Sequence, residues 1–152
     1  MKDSLLIVFL GFLFSTNIFA LEANWETLKT LEIDAKTKKN VIKPDLQKIL
    51  NKEVTIKGFM MPLDYESKEV VEFLFMPYVP ACMHIPPPPA NQLVLVKMKK
   101  GNKIKPSFYP IELTGKLMLD SNTELESSFK MEGLKMKELK DAAPMQPPGT
   151  TP

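Results

Sequence analysis

Apolar and polar residues alternate with a period of two along much of the chain after residue 52. Val54 and Ile56 alternate with polar neighbours, which predicts a half-buried strand from Glu53 to Pro62. Alternation or a short apolar run predicts four further strands, at residues 70–76, 93–98, 109–119 and 129–139. Three of the five segments contain an interior glycine, at positions 58, 115 and 133. Interior glycines let strands coil sharply, so we expect a mostly β fold.

The predicted architecture is a small OB-like antiparallel barrel with short N-terminal helices, and an open α+β sheet is the alternative. The first helix covers residues 25–31, and Asn24 has a side chain suited to capping its first turn. Pro44 opens the second helix, where its missing N–H would have no partner in any case. Leu46, Ile49 and Leu50 then fall on one face of this second helix.

The two ends of the chain have compositions that differ from the rest. Lys2 precedes an uncharged apolar run of ten residues, Leu5 to Phe14, which is half of the roughly twenty needed to span a bilayer. This pattern predicts a signal peptide, residues 1–20, cleaved after Ala20. A short buried helix and an uncleaved anchor are the alternatives. Residues 141–152 hold four prolines and no periodic apolar pattern, which predicts a disordered tail.

A single β-rich domain, residues 21–140, remains between these ends and is long enough to bury a core. The signal peptide predicts a periplasmic or secreted protein with no transmembrane segment in the mature chain. All 20 basic residues are lysine, and the formal net charge is only +2. A chain without arginine lacks the planar fork that grips phosphates and guanine edges, so nucleic-acid binding is disfavoured.

The only cysteine and the only histidine are two residues apart, at Cys82 and His84. In extended backbone such side chains point the same way and can reach one metal ion. Thiolate and imidazole suit zinc or copper, but zinc takes three or four ligands. The missing ligands would come from carboxylates such as Asp64 or from a second subunit, which would make the protein a homodimer. The alternative is that both residues are packing or hydrogen-bonded structural residues.

Prolines surround this pair. One lies before it, at Pro80, and four follow it: Pro86, Pro87, Pro88 and Pro89. Because proline fixes φ and favours extended backbone in the residue before it, the segment is expected to be stiff. A stiff segment loses less entropy on binding a ligand, and a polyproline run can also dock into an aromatic groove. The candidate partner-binding set is the four prolines with Tyr78, Asn91 and Gln92.

Three strings in the sequence resemble a bacterial family known as domain of unknown function 3299. They are Val-Thr-Ile-Lys-Gly-Phe-Met-Met-Pro-Leu at 54–63, Glu-Phe-Leu-Phe-Met-Pro-Tyr at 72–78 and Ala-Cys-Met-His-Ile-Pro-Pro-Pro-Pro-Ala-Asn-Gln at 81–92. The likeness extends from about Trp25 to Leu139. One position departs from it, because Pro80 stands where the family commonly has glycine, which affects the turn into the cysteine.

The resemblance implies an exported or lipid-anchored envelope protein, often encoded beside ABC-type membrane transport components and in some members tied to zinc. It also implies that Cys82 and His84 form the site. The leading hypothesis is therefore a non-enzymatic accessory of an ABC-type transport system that binds zinc, copper or a metal-loaded envelope partner through Cys82 and His84. A metal-free interaction module built on the polyproline loop is the second hypothesis. A thiol-dependent enzyme is the third, although neighbours at i and i+2 rarely come within hydrogen-bond reach.

Overall fold

The computed structural model describes residues 20–34, 36–37, 39–80, 85–99, 102–120 and 127–142. Two short helices and eight strands occur in these segments. In chain order they are β1 (Leu21–Glu22), α1 (Trp25–Leu28), β2 (Glu32–Ile33), β3 (Asn40–Val41), α2 (Pro44–Ile49), β4 (Glu53–Pro62), β5 (Glu72–Met76), β6 (Val94–Met98), β7 (Ile111–Leu119) and β8 (Phe129–Glu138), with a 3-10 helix (Ala90–Gln92) before β6.

Five of these strands close into a barrel in the order β4-β5-β6-β8-β7, and β7 pairs back onto β4. The predicted OB-like barrel with short N-terminal helices is confirmed, and the closing pair excludes the open sheet. One detail differs from the prediction, because β6 and β8 run parallel while the other four pairings are antiparallel. The Greek-key connection is the cause: the chain crosses from β6 to β7 beside β4, and β8 then returns between β7 and β6.

Strand β4 closes the barrel because its two halves pair with different neighbours. Residues 53–58 pair with β7, and residues 59–62 pair with β5. Gly58 lies where the pairing changes. A Cβ atom at Gly58 would lie 2.6 Å from the Met76 carbonyl oxygen and 2.8 Å from the Phe75 ring. The bend therefore brings β5 so close to β4 that a side chain at Gly58 has no room.

The core lies inside the barrel and beneath the two helices. On β4 the buried positions are every second residue, as the alternation predicted. The interior side chains with little or no solvent exposure include Phe73, Phe75, Leu113 and Phe129. Leu28 of α1 and Leu46 of α2 are also fully buried, so the helices cover one part of the barrel with their apolar faces.

Local signals located the helices well. The Asn24 side chain accepts a hydrogen bond of 2.8 Å from the Thr27 backbone N–H, which confirms the predicted cap of α1. This helix is shorter than predicted and ends at Leu28. Helix α2 begins at Pro44, and its Leu46 and Ile49 are buried.

Three predicted strands begin later than the pattern indicated, each for a local reason. Val70 forms only an isolated bridge to Ile104, so β5 starts at Glu72. Leu93 ends the 3-10 helix, and β6 starts after it. Proline has no N–H to donate to a neighbouring strand, so β7 starts after Pro110 rather than at Tyr109.

Two pairings had no sequence signal. Strand β1 pairs in parallel with the start of β4, and β2 pairs with β3 as a separate two-stranded sheet. The predicted signal peptide, apart from Ala20, and the tail after residue 142 lie outside the described residues. Among the described helices, none has the length and apolar character needed to cross a membrane.

Replacing Gly115 by alanine tests the close approach of β7 and β8. A Cβ at this position would lie 2.5 Å from the Glu132 carbonyl oxygen and 2.8 Å from the Met131 side chain. Because the first contact is backbone, the strands must shift, and we expect Gly115→Ala to lower the free energy of unfolding by about 1–3 kcal/mol. Urea denaturation measures it. The neighbouring exposed change Lys116→Ala should stay within about 0.5 kcal/mol, and an equal effect of both variants would contradict the close approach.

Candidate functional site

The segment that the sequence singled out connects β5 to β6, and we call residues 77–93 the site loop. A hydrogen bond joins its two limbs: the Tyr78 hydroxyl donates to the Pro86 carbonyl oxygen at 3.2 Å. The Tyr78 side chain is buried, with 5% of its surface exposed. This bond joins the two residues that flank segment 79–85 in the sequence.

The second anchor of the site loop is Asn91, in the 3-10 helix. Its Nδ2 donates to the Lys29 carbonyl oxygen at 3.0 Å and to the Leu31 carbonyl oxygen at 3.1 Å. These carbonyls belong to the turn after α1, which leaves them without partners in the helix. The Asn91 Oδ1 atom is buried and accepts no hydrogen bond from any residue that the structure describes. Asn91 therefore ties the site loop to the turn that follows α1.

Trp25 fixes α1 in turn against the barrel. Its indole Nε1 donates to the Lys57 carbonyl oxygen of β4 at 2.7 Å, and its ring lies 5.3 Å from the Phe75 ring, tilted by 49°. Lys57 and Phe75 stand on the two strands that meet at the Gly58 bend. The site loop is thus linked through Asn91, α1 and Trp25 to the place where β4 and β5 approach closely at Gly58.

The proline run has one buried and three exposed members. Pro88 is buried, whereas Pro86, Pro87 and Pro89 are exposed. After the run, the Ala90 carbonyl oxygen accepts a 2.9 Å hydrogen bond from the Ser128 backbone N–H, next to the start of β8. The residue that follows the run is therefore held by a hydrogen bond, and three of the four proline rings are exposed to solvent.

The proposed partner-binding set divides accordingly. Pro86, Pro87 and Pro89 are available to a partner. In contrast, Tyr78, Pro88 and Gln92 are buried. The side-chain amide of Asn91 donates its hydrogen bonds to carbonyl oxygens in the turn after α1. The exposed part of the proposed set is therefore smaller than the sequence indicated, because the sequence does not show which of these side chains are buried to hold the loop.

Cys82 and His84 lie outside the described residues, so their predicted role as ligands stays a prediction. Within the described segments there is no group of three or more His, Cys, Asp or Glu side chains placed to hold a metal ion. The scaffold on either side of the pair is described as far as Pro80 and from Ile85 onward. The described structure shows how the residues on either side of the pair are held, through Tyr78, Pro86 and Asn91.

Asp64, the candidate third ligand, lies in the loop between β4 and β5, at the other end of β5 from Tyr78. The five residues of β5 span about 13 Å at 3.3 Å per residue. The Asp64 carboxylate accepts hydrogen bonds from the Ser67 hydroxyl and, at 3.0 Å, from the Glu66 backbone N–H. These hydrogen bonds hold the pKa of the Asp64 carboxyl below its usual range, and the bond from the Ser67 hydroxyl has the largest effect. Asp64 caps its own loop, and the geometry does not bring it to the described limbs of the site loop.

The residues that hold the site loop are not evident from the sequence. The pattern identifies Trp25 only as the start of a helix, and the carbonyls of Lys29 and Leu31 carry no sequence signal at all. A usable signal is the presence of Asn91 two residues after the end of the proline run. An asparagine there can hydrogen-bond to nearby carbonyls, but no local rule indicates which carbonyls the fold brings to it.

Comparison with known proteins gives a family and a fold. The family model described as Protein of unknown function (DUF3299) matches residues 17–138. The crystal structure of a DUF3299 family protein from Pseudomonas aeruginosa PAO1 superimposes with a TM-score of 0.59 at 22% sequence identity, covering 80% of this chain and 97% of that chain. No curated protein matches the chain. At this identity the structural likeness establishes the fold alone. The family model spans most of the chain, and the protein therefore belongs to the DUF3299 family.

Proposed function

We propose that this protein is a non-enzymatic envelope protein that binds a transition metal, zinc or copper, or a metal-loaded partner, through Cys82 and His84. In this proposal it serves an ABC-type transport system as an accessory. The observation that carries the proposal is the hydrogen bond from Tyr78 to Pro86, because it joins the two residues that flank the segment with the only cysteine and the only histidine of the sequence. A closed loop with fixed ends lowers the entropy lost when two side chains order around an ion.

The rest of the fold supports this use of the site loop. Functional side chains are commonly carried on loops that a rigid scaffold positions. Here the scaffold is the barrel, to which Asn91 and Trp25 fasten the loop. Two ligands leave coordination positions open, and a partner protein or a second copy of the chain would fill them. An accessory that passes a metal on has a use for such an incomplete site.

The proposed location outside the cytoplasm rests on the N-terminal pattern and on the family resemblance. Cleavage after Ala20 would leave Leu21–Glu22, the strand β1, at the start of the mature chain. This strand pairs with Val54 and Thr55 of β4. The mature protein would therefore retain the whole barrel, with its new N-terminus held in the sheet.

A second candidate function, a metal-free interaction module, is favoured by a separate observation. Pro86, Pro87 and Pro89 are exposed, while the end of the run is fixed by Ala90. A preformed proline run docks into aromatic grooves with little loss of entropy. In this function Cys82 and His84 would pack or hydrogen-bond within the loop and bind no ion.

Elemental analysis of residues 21–152, purified without a metal-affinity tag, separates the two functions. We expect near-stoichiometric zinc or copper in the unaltered protein and at least a tenfold loss in the Cys82→Ala and His84→Ala variants. The thiolate and the imidazole are the two ligands that the proposal assigns to the chain, so removing either leaves a single ligand.

Asp64→Asn is the matched control, because it removes a carboxylate at the other end of β5 and should leave the metal content unchanged. Equal metal affinity in the unaltered protein and in the Cys82→Ala/His84→Ala double variant would reject metal binding at this site. An empty protein that also takes up neither zinc nor Cu(I) on titration would favour the interaction module.

Alkylation of Cys82 gives an independent test. We expect iodoacetamide to modify the thiol of the folded, metal-free protein, and added zinc to slow the reaction about tenfold or more, because a coordinated thiolate is not available as a nucleophile. Mass spectrometry follows the modified fraction with time. In His84→Ala the protection should weaken. A thiol that resists alkylation both with and without zinc would identify Cys82 as a buried packing residue.

Tyr78→Phe tests the closure of the site loop by removing one hydroxyl and nothing else. The loss of its hydrogen bond to Pro86 should lower the free energy of unfolding by about 1 kcal/mol. The dissociation constant for zinc should rise several-fold, because a looser loop must be ordered on binding. Tyr65→Phe, at a tyrosine that is 75% exposed, is the control. Unchanged zinc affinity in Tyr78→Phe would show that the hydrogen bond does not preorganise the site.

A further inference from the structure

The loop between β6 and β7 presents two adjacent aromatic side chains to solvent. Phe108 is 98% exposed and Tyr109 is 52% exposed, whereas the neighbouring Ser107 is only 6% exposed. This is the reverse of the usual preference, in which aromatic rings are buried and serine stays in water. We call Phe108 and Tyr109 the aromatic tip. Its exposure is a feature that the packing of the barrel does not require.

The aromatic tip is held out by a well-anchored backbone. The Ser107 N–H donates to the Met60 Sδ atom at 3.3 Å, and the Tyr109 N–H donates to the Ser107 Oγ atom at 3.1 Å. On the far side Pro110 is buried, and its carbonyl oxygen accepts a 2.8 Å hydrogen bond from the Leu139 N–H. Earlier in the loop, Ile104 exchanges two backbone hydrogen bonds with Val70. The tip is therefore fixed on both sides, with its rings pointing into solvent.

The loop that carries the aromatic tip is basic. Residues 99–110 contain four lysines and no acidic residue. Three of these lysines are described, and all three are exposed: Lys99, Lys103 and Lys105. Acidic residues also lie nearby: Asp64, Glu66 and Glu69, together with Lys68, are on the adjoining loop between β4 and β5. Glu138 lies opposite Ile111 and forms an ion pair with Lys140. The positive charge is therefore concentrated on the same loop as the exposed rings.

Exposed aromatic rings beside lysines are suited to the surface of an anionic membrane. Phenylalanine and tyrosine partition into the interfacial region of a bilayer, and lysines at the surface are attracted to anionic headgroups. A protein partner is a poorer match, because a stable protein interface buries about 800 Å² on each side and needs a complementary surface. Two rings on a projecting tip offer little flat area, but a fluid lipid surface deforms around them.

We propose that the aromatic tip inserts into the headgroup region of an anionic phospholipid surface, with Lys99, Lys103 and Lys105 beside the lipid phosphates. The inference does not depend on Cys82 or His84. It has a geometric consequence, because β6 begins where the site loop ends and ends where the loop that carries the tip begins. A barrel that rests on the membrane by the tip holds the site loop at its opposite end, facing away from the lipid.

Vesicle co-sedimentation tests this proposal with residues 21–152, which contain every described strand and helix and lack the apolar run that would itself bind lipid. The vesicles are phosphatidylcholine alone and phosphatidylcholine with phosphatidylglycerol. We expect binding to the phosphatidylglycerol vesicles that weakens as salt is added. The double variant Phe108→Ser/Tyr109→Ser should bind these vesicles at least about tenfold more weakly, since it removes the apolar surface that would be buried in the bilayer. The double variant Lys103→Gln/Lys105→Gln should bind several-fold more weakly and lose most of the salt dependence.

Ile33→Ser is the matched control, because Ile33 is 63% exposed but lies in β2, outside this loop. Its vesicle binding should equal that of the unaltered protein, and all variants should keep the same melting temperature. Three results would each overturn the proposal. They are no binding to the phosphatidylglycerol vesicles, equal binding to both kinds of vesicle, and undiminished binding by Phe108→Ser/Tyr109→Ser. Self-association in solution that the same double variant abolishes, without vesicle binding, would assign the tip to a second copy of the chain and overturn it as well.

Discussion

The fold depends on one steric constraint, the absence of a side chain at Gly58. Strand β4 must turn there to leave β7 and join β5, and the closing of the barrel requires both pairings. The turn brings the Met76 carbonyl and the Phe75 ring into the space that a Cβ would fill. Trp25 fixes α1 at the same place, because its indole donates a hydrogen bond to the Lys57 carbonyl oxygen and its ring contacts the Phe75 ring. Barrel closure and the position of α1 therefore both depend on the close approach of β4 and β5 at Gly58. The site loop is positioned by the barrel and by α1 together.

The sequence predicted the parts of the fold that arise from local rules. The alternation around Val54 and Ile56 depends only on the period of a strand, and the Asn24 cap depends only on four neighbouring residues. The parallel pairing of β6 with β8 could not be predicted in the same way, since it follows from the path of the chain through the whole barrel. The pairing of β1 with β4 is similar: a two-residue strand has too little pattern to be recognised, and its partner supplies the order.

The candidate site shows the same division. Its place in the chain was evident, because the only cysteine and histidine stand together beside a proline run. The way the loop is held was not evident, because Tyr78 and Asn91 act on atoms that are distant in sequence or carry no side-chain signal. Tyr78 had been assigned to a partner surface, whereas its ring is buried and its hydroxyl closes the loop. An aromatic residue with a polar group serves either purpose, and only its burial distinguishes them.

The two proposals place different chemistry at opposite ends of one small barrel. The site loop precedes β6 and the loop that carries the tip follows it, so the proposed ligand and the proposed membrane contact belong to loops at opposite ends of this strand. Metal transfer to a membrane transport component then requires that the component extend away from the lipid by about the height of the barrel. If both proposals hold, the accessory must deliver its metal to a domain that projects from the membrane, or leave the lipid surface first.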